Sequence, residues 1–267
     1  MPQNYRSPYR LTFFKPLLIV LAGFLLFGVS GCSTTERIGS NLKPNPEKRI
    51  GVGVNAAKEY LKVGDTENAL RHIEVVLDLD KRHAPAHQIL ALIYLKEGQT
   101  ERAEISFKKA IDLDPTLSTA RNNYSSFLFN QNRYPEAAEQ LEVAVQDISY
   151  DNRARALENL GVIYQEMGED KKAEDAFIRG LRINKNLGRS RLELAGIALK
   201  RKNYQQASQY IKDYARVAKH TPRSLWLGIQ IEKLNGDRNA LGSYELSLRN
   251  LYPKSKEYQL YLEAKSR

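Results

Sequence analysis

The sequence predicts an all-α fold, an α-solenoid of stacked helix pairs. Three observations lead to this prediction. The 267 residues include only 16 glycines and 10 prolines, and no run of alternating β-branched residues interrupts them. Residues 84–115 have the pattern of two short helices joined by a turn. An alanine recurs along the chain at nearly constant spacing, which indicates that this helix pair is repeated.

The helix pair in residues 84–115 shows why repetition is needed. Small and large apolar residues alternate on one face of each predicted helix, with Tyr94 in the first and Phe107 in the second. Gly98 separates the helices, and Thr100 is placed to cap the second one. Small side chains let two helix backbones approach, and the aromatic rings fill the remaining space. One pair cannot cover such faces alone, so neighbouring pairs must stack against it.

The repeat has a spacing of 33 to 36 residues and a recognisable pattern. Its alanines are Ala69, Ala103, Ala137, Ala173, Ala207 and Ala240. Together with Leu-Ala/Gly, Tyr, Phe and Pro at fixed offsets, the pattern resembles the tetratricopeptide repeat. The resemblance implies about six repeats, which form a right-handed superhelix over residues 50–265. It also implies that the first helix of each repeat lines a concave groove.

The N-terminal segment has the features of an export signal. Residues 1–15 are polar and basic, and residues 16–29 are almost entirely apolar. Fourteen residues are too few to span a bilayer, which needs about 20, but they suit the apolar part of a signal peptide. Val-Ser-Gly then precedes Cys32, the only cysteine, and this resembles the bacterial lipobox.

The lipobox resemblance implies a signal peptide at residues 1–31 that is removed before Cys32. Cys32 would then carry a covalent diacylglycerol and an N-acyl chain, and no other cofactor is expected. Ser33, where aspartate would favour the inner membrane, implies the outer membrane. The alternative is a short uncleaved anchor followed by an incidental cysteine. Residues 32–49 are polar and proline-containing, which predicts a flexible tether with a maximum reach of about 60 Å.

The remaining features argue against an enzyme. The net charge is +10, but three of the basic residues precede Cys32 and the others are spread along the chain, so no nucleic-acid partner is expected. His83 and His87 have a spacing that could hold a metal on a helix, yet Pro85 lies between them and no third ligand is near. No catalytic motif occurs, so we expect no catalytic residues, no metal and no small-molecule substrate.

The predicted groove residues lie on the first helices of repeats one to three. They are Val54, Lys58, Leu61, Lys62, Leu92, Leu95, Lys96, Asn122, Asn123, Ser126 and Phe129. An apolar strip flanked by lysines and asparagines suits an amphipathic helix or an extended peptide that carries acids. The alternative is that several of these side chains are buried in packing between helices.

The same face of repeats four and five is more highly charged, and its simplest interpretation is a solvated surface. The charged residues are Arg155, Glu158, Glu166, Arg189, Glu193 and Lys200. Trp226 is the only tryptophan; a structural role is the simpler interpretation, and an exposed position would make it a binding hot spot.

The order of these parts resembles a known family. A lipobox, a short polar tether, six repeats and a closing LWLGI…GD sequence (residues 225–229 and 236–237) are similar to the PilF/PilW lipoproteins of type IV pilus biogenesis. The resemblance implies a pilotin, which is anchored by lipid in the inner leaflet of the outer membrane and faces the periplasm. A pilotin binds type IV pilus secretin subunits and promotes their outer-membrane localisation and assembly. The alternative is a scaffold of another envelope complex, such as outer-membrane β-barrel assembly or cell-wall machinery.

Overall fold

The computed structural model describes residues 45–266, and this part of the chain consists of helices without any strand. The helices form six antiparallel pairs followed by a single last helix. They are α1 (Pro46–Val63), α2 (Thr66–Leu79), α3 (Ala84–Lys96), α4 (Thr100–Leu113), α5 (Ser118–Asn130), α6 (Tyr134–Ala144), α7 (Arg153–Glu166), α8 (Asp170–Ile183), α9 (Gly188–Lys200), α10 (Tyr204–Val217), α11 (Pro222–Asn235), α12 (Arg238–Leu251) and α13 (Lys256–Ser266). The predicted all-α solenoid of six helix pairs is confirmed. Within residues 45–266, no helix is both long enough and apolar enough to cross a membrane.

The first helix begins earlier than the sequence pattern indicates. Helix α1 begins at Pro46, so the last four residues assigned to the tether lie in its first turn. The Asn45 side chain accepts a hydrogen bond from the Glu47 backbone N–H (2.9 Å), and proline fits the first helical position. The predicted signal peptide and residues 32–44 of the predicted tether, including Cys32, fall outside the described residues.

The turns within the pairs share one backbone conformation. Six of the described residues have positive φ, and each lies two positions before the second helix of its pair; they are Gly64, Gly98, Asn132, Gly168, Lys202 and Gly236. Glycine adopts this left-handed conformation without a Cβ clash, and asparagine tolerates it. Lys202, with φ of 61°, is the exception in side-chain type.

This turn geometry corrects the predicted cap at Thr100. Gly98 is left-handed, and the Gln99 N–H donates to the Tyr94 carbonyl oxygen (2.8 Å), so Gln99 becomes the cap position and Thr100 the first helical residue. The Gln99 side chain makes no capping hydrogen bond. The turn leaves only Gln99 between Gly98 and the helix, so Thr100 lies one position too late to serve as the cap.

The repeated alanines occupy equivalent positions. Each is the fourth residue of its second helix and fully buried, except Ala240, which is the third residue of α12 and only half-buried. Close packing against the second helix also requires small residues on the first helices. A Cβ on Gly161 of α7 would lie 2.5 Å from the Phe177 ring of α8, so only glycine permits this approach.

The stack has an inner and an outer side. Each second helix packs mainly against the first helix of its own pair and then against the first helix of the next pair. Three pairs of successive first helices also contact each other: α1 with α3, α7 with α9, and α9 with α11. Within residues 45–266, no two second helices of successive repeats contact each other as closely as these first helices do, which indicates that the first helices lie on the concave side. Apolar clusters follow one another from α1 to α13, so the core extends along the whole array.

Candidate partner-binding face

The predicted groove residues share three helices. All eleven lie on α1, α3 and α5, the first helices of repeats one to three. The repeat geometry also aligns them in rows. Leu61, Leu95 and Phe129 are 34 residues apart and occupy the same position in successive helices. They form an apolar row across the three helices.

The prediction that Val54 is part of an exposed strip is wrong. Val54 is only 7% exposed and belongs to the core cluster between α1, α2 and α3. The other apolar members, Leu61, Leu92, Leu95 and Phe129, are half-buried and pack against the core. The strip is therefore shallower than the sequence pattern indicates, because each of these side chains contributes partly to packing between repeats.

The three lysines on this face are exposed but differ in their contacts. Lys62 pairs with Glu59 (2.6 Å), which occupies its ammonium group. Lys96 donates from Nζ to the Leu61 carbonyl oxygen (3.1 Å) and ties the end of α1 to α3. Lys58 makes no ion pair within residues 45–266. Of the three, Lys58 is thus the best placed to meet an acidic group on a partner.

Helix α5 contributes the polar part of the face. Asn122 and Asn123 are half-buried, and exposed Ser126 donates a hydrogen bond to the Asn122 carbonyl oxygen (3.0 Å). Phe129 packs against the Tyr134 ring with centroids 5.4 Å apart. Within residues 45–266, the side-chain amides of Asn122 and Asn123 make no hydrogen bond and so remain available to a ligand.

A small cavity of about 190 Å³ opens beside Ser126 and Phe129 and extends the face beyond repeat three. Its other walls include Val162 and Ile163 of α7 and Arg189 of α9. The sequence contained a signal for this extension, because Val162 occupies the position in repeat four that Leu92 occupies in repeat two. An apolar wall with one guanidinium at its edge suits an apolar side chain next to an acidic one.

The charged face of repeats four and five is not uniformly solvated. Arg155, Glu166, Arg189 and Lys200 are exposed, in agreement with the prediction. Glu158 and Glu193 are buried, at 3% and 6% exposure, so the solvated interpretation is wrong for them.

The two buried carboxylates connect successive first helices. Glu158 Oε2 accepts hydrogen bonds from the backbone N–H and the hydroxyl of Ser190 (2.9 and 2.8 Å), in the first turn of α9. Glu193 forms a two-pronged pair with Arg223 in the first turn of α11 (both 2.7 Å). Helix N-termini have unpaired N–H groups and partial positive charge, which explains why an acid is buried at each seam. These residues fix the curvature of the face rather than bind a ligand.

A further acid stabilises the seam between repeats two and three. Glu104 on α4 accepts from the Tyr124 hydroxyl and from Arg133 (both 2.9 Å) and pairs with Lys108 (2.9 Å). Burial alone would raise the pKa of the Glu104 carboxyl, but these hydrogen bonds outweigh it and lower the pKa to about 2. The carboxylate holds α4, α5 and the start of α6 together.

The paired histidines take structural positions. His83 Nδ1 accepts a hydrogen bond from the Ala86 N–H (3.1 Å) and caps α3, while His87 Nε2 lies 3.0 Å from the Lys81 carbonyl oxygen. Within residues 45–266, no group of three or more potential metal ligands occurs. These histidines organise the turn before α3.

Comparisons with known proteins agree with this architecture. The family model described as Tetratricopeptide repeat matches residues 84–117 and 154–187. Over 240 residues the chain is 33% identical to the type IV pilus assembly protein PilF of Pseudomonas aeruginosa. The aligned region covers 90% of this chain and 95% of that protein.

Solved structures lead to the same relatives. A structure of Pseudomonas aeruginosa PilF superposes with a TM-score of 0.75 at 34% identity, covering 82% of this chain and 99% of that one. The crystal structure of PilW, described as a widely conserved type IV pilus biogenesis factor, superposes with a TM-score of 0.66 at 28% identity, covering 80% and 98%. The chain therefore belongs to the PilF/PilW family of type IV pilus biogenesis proteins, which are built from tetratricopeptide repeats.

Proposed function

We propose that this protein is a pilotin, a lipid-anchored scaffold that binds secretin subunits of the type IV pilus. It would promote their localisation to the outer membrane and their assembly there. The observation that carries the proposal is the concave face of α1, α3 and α5, with its row of half-buried apolar side chains beside exposed Lys58. The family membership supplies the pilus context.

The concave face suits a helical or extended segment of the secretin. An apolar stripe of the segment would lie along the row formed by Leu61, Leu95 and Phe129, and an acidic side chain would reach Lys58. Removal of the apolar row from water favours binding, while the charge pair mainly sets orientation.

The proposed anchor would act through position alone. Cys32, which precedes the described residues, would carry the acyl chains, and two or three chains make membrane attachment stable where one gives only marginal binding. A tethered groove meets secretin subunits near the outer membrane at a raised effective concentration. Cys32→Ala should therefore leave secretin binding intact and misplace the secretin, as detected by membrane fractionation. Normal secretin multimers in the outer membrane would reject the role of the anchor.

Charge substitutions on the concave face test the binding site. Leu61→Glu and Leu92→Glu should abolish co-purification with the secretin, because each places a carboxylate in the apolar strip. Ile105→Glu is the matched control, since Ile105 is a 67% exposed apolar side chain on the second helix α4. Circular dichroism shows whether each variant keeps its helices. Lys58→Glu tests the same face at an exposed position and leaves the packing between helices unchanged.

The outcomes are distinct. Loss of the secretin from the groove variants with retention in Ile105→Glu supports the proposal. Equal recovery of the secretin with folded Leu61→Glu, Leu92→Glu and Lys58→Glu would overturn the groove. Recovery of β-barrel assembly or cell-wall proteins in place of the secretin, in a crosslinking pull-down from envelope membranes, would indicate the alternative scaffold.

A further inference from the structure

A second and larger cavity lies at the other end of the array. Its volume is about 660 Å³, and residues of α9 to α13, together with Lys202 in the turn between α9 and α10, line it. The lining is mainly apolar, with Trp226, Ile229, Leu234, Leu241 and Tyr261 contributing side chains. None of these residues belongs to the concave face of α1, α3 and α5. The side chain of Leu234 is 55% exposed, so the cavity is open to solvent at this wall.

The rim of this cavity is positively charged. Four lysines border it, namely Lys200, Lys202, Lys233 and Lys265, against a single acid, Glu245. Lys200 lies 3.5 Å from Asp170, and Lys265 donates to the Tyr261 hydroxyl (3.2 Å). Lys202 and Lys233 make no ion pair within residues 45–266 and are exposed. Two cations thus remain available beside an apolar surface.

Lys202, at the rim of the cavity, has an unusual backbone conformation. The equivalent turn position is glycine in four of the other repeats and asparagine in the fifth, and Lys202 adopts the same left-handed conformation with φ of 61°. A residue with a long side chain in this conformation carries strain that glycine would avoid. Strained residues of this kind cluster at ligand-binding positions. The lysine stands at the one of these turns that borders the cavity.

We propose that this cavity binds an acidic amphipathic helix of a partner protein, at a site separate from the secretin-binding face. A helix brings its own polar face to cover the open side, whereas an acyl chain would leave part of its length in water. Its apolar stripe would contact Trp226 and Leu234, and its flanking carboxylates would face Lys202 and Lys233. Aromatic side chains of this kind are common binding hot spots.

The chain provides its own reporter for a test. Trp226 is the only tryptophan, so selectively excited tryptophan fluorescence reports on this cavity, without a contribution from the 15 tyrosines. The probe is a synthetic 15-residue peptide with leucines at i, i+3, i+4 and i+7, glutamates beside this stripe and alanines at the remaining positions to favour the helix. A second peptide carries lysines in place of the glutamates, and a third is a scramble that breaks the leucine stripe. We expect a saturable shift of the emission maximum to shorter wavelength with the first peptide only.

Variants separate binding from folding. Lys202→Gly should weaken peptide binding about two- to fivefold, the range of exposed charge pairs, without lowering the midpoint of thermal unfolding. Asn132→Gly is the control for peptide binding, because it changes a left-handed turn residue away from the cavity; it loses the hydrogen bond that the Asn132 side chain accepts from the Tyr134 hydroxyl (2.9 Å) but should leave peptide binding unchanged. Leu234→Glu, at an exposed position, should abolish the shift with little effect on folding.

Three results would overturn the proposal. They are the absence of a saturable shift with the acidic peptide, equal binding of the lysine peptide, and unchanged binding in Leu234→Glu. A shift produced by phosphatidylglycerol vesicles but not by the acidic peptide would identify an anionic lipid as the occupant and would also reject the helix. Secretin co-purification is a separate readout, so its failure would leave this test unaffected.

Discussion

Replacing Gly161 by alanine isolates the packing that holds one helix pair together. A Cβ at this position would lie 2.5, 2.7 and 2.8 Å from three atoms of the Phe177 ring, all well inside van der Waals contact. Phe177 is fully buried, so its ring cannot turn away into solvent. Overpacking of this type costs about 1–3 kcal/mol of unfolding free energy. Alanine also favours the helix by about 1 kcal/mol relative to glycine, which offsets part of the cost.

Gly196 is the matched control for this substitution. It lies inside α9, and a Cβ there would meet nothing within 4 Å. Gly196→Ala should therefore stabilise the protein by up to about 1 kcal/mol, the gain in helix propensity alone. Because the same gain applies to Gly161→Ala, the difference between the two variants measures the steric cost, which we expect to be about 1–3 kcal/mol.

The assay is urea unfolding followed by circular dichroism at 222 nm, with both variants and the parent protein compared under one set of conditions. Equal slopes with different midpoints would indicate that only stability has changed. If both alanine variants were equally stabilised, the close approach of α7 and α8 at Gly161 would be refuted.

Three other predictions concern the seams and the concave face. Glu104→Gln should lower stability at pH 7, because the pKa of the Glu104 carboxyl is about 2 in the folded protein and near 4.5 in the unfolded chain. The stabilisation from this carboxylate is present above about pH 4.5 and is lost as the pH falls toward 2, so urea midpoints of the variant should depend less on pH across this range. Glu158→Ala should cost about 1–3 kcal/mol in urea unfolding by leaving the Ser190 N–H without its acceptor, whereas Glu158→Gln keeps an acceptor oxygen and should recover part of the loss; equal losses would contradict this role. Lys58→Glu should change the free energy of unfolding by less than about 0.5 kcal/mol and should weaken secretin binding in a pull-down, most clearly at low salt. A large loss of stability would show that Lys58 has an unrecognised structural contact.

The repeat architecture was predictable because its determinants are local. The recurring alanines are required wherever a second helix packs closely on its neighbours, and the left-handed turn favours glycine at positions such as Gly98 and Gly236. Periodicity therefore specifies the number and order of helix pairs. The cap at Thr100 was misplaced because the turn conformation, which sequence alone does not give, fixes where the second helix begins.

The details of the candidate site depend on contacts between repeats, which periodicity does not report. Val54 follows the spacing of a groove residue, yet its neighbours from α2 and α3 bury it. Glu158 has the appearance of a surface acid until the first turn of α9 is placed against it. The cavity beside Trp226 requires α13 to pack against α11, and the position of this last helix lies beyond the repeat pattern.

Site-specific photo-crosslinking in cells tests the central claim, that the concave face holds the secretin, most directly. A photoreactive amino acid at exposed Ser126, between the apolar row and the small cavity, should crosslink to the type IV pilus secretin, while the same group at exposed Ile105 on the second helix α4 should not. Secretin crosslinks from position 105 with none from position 126 would contradict the account.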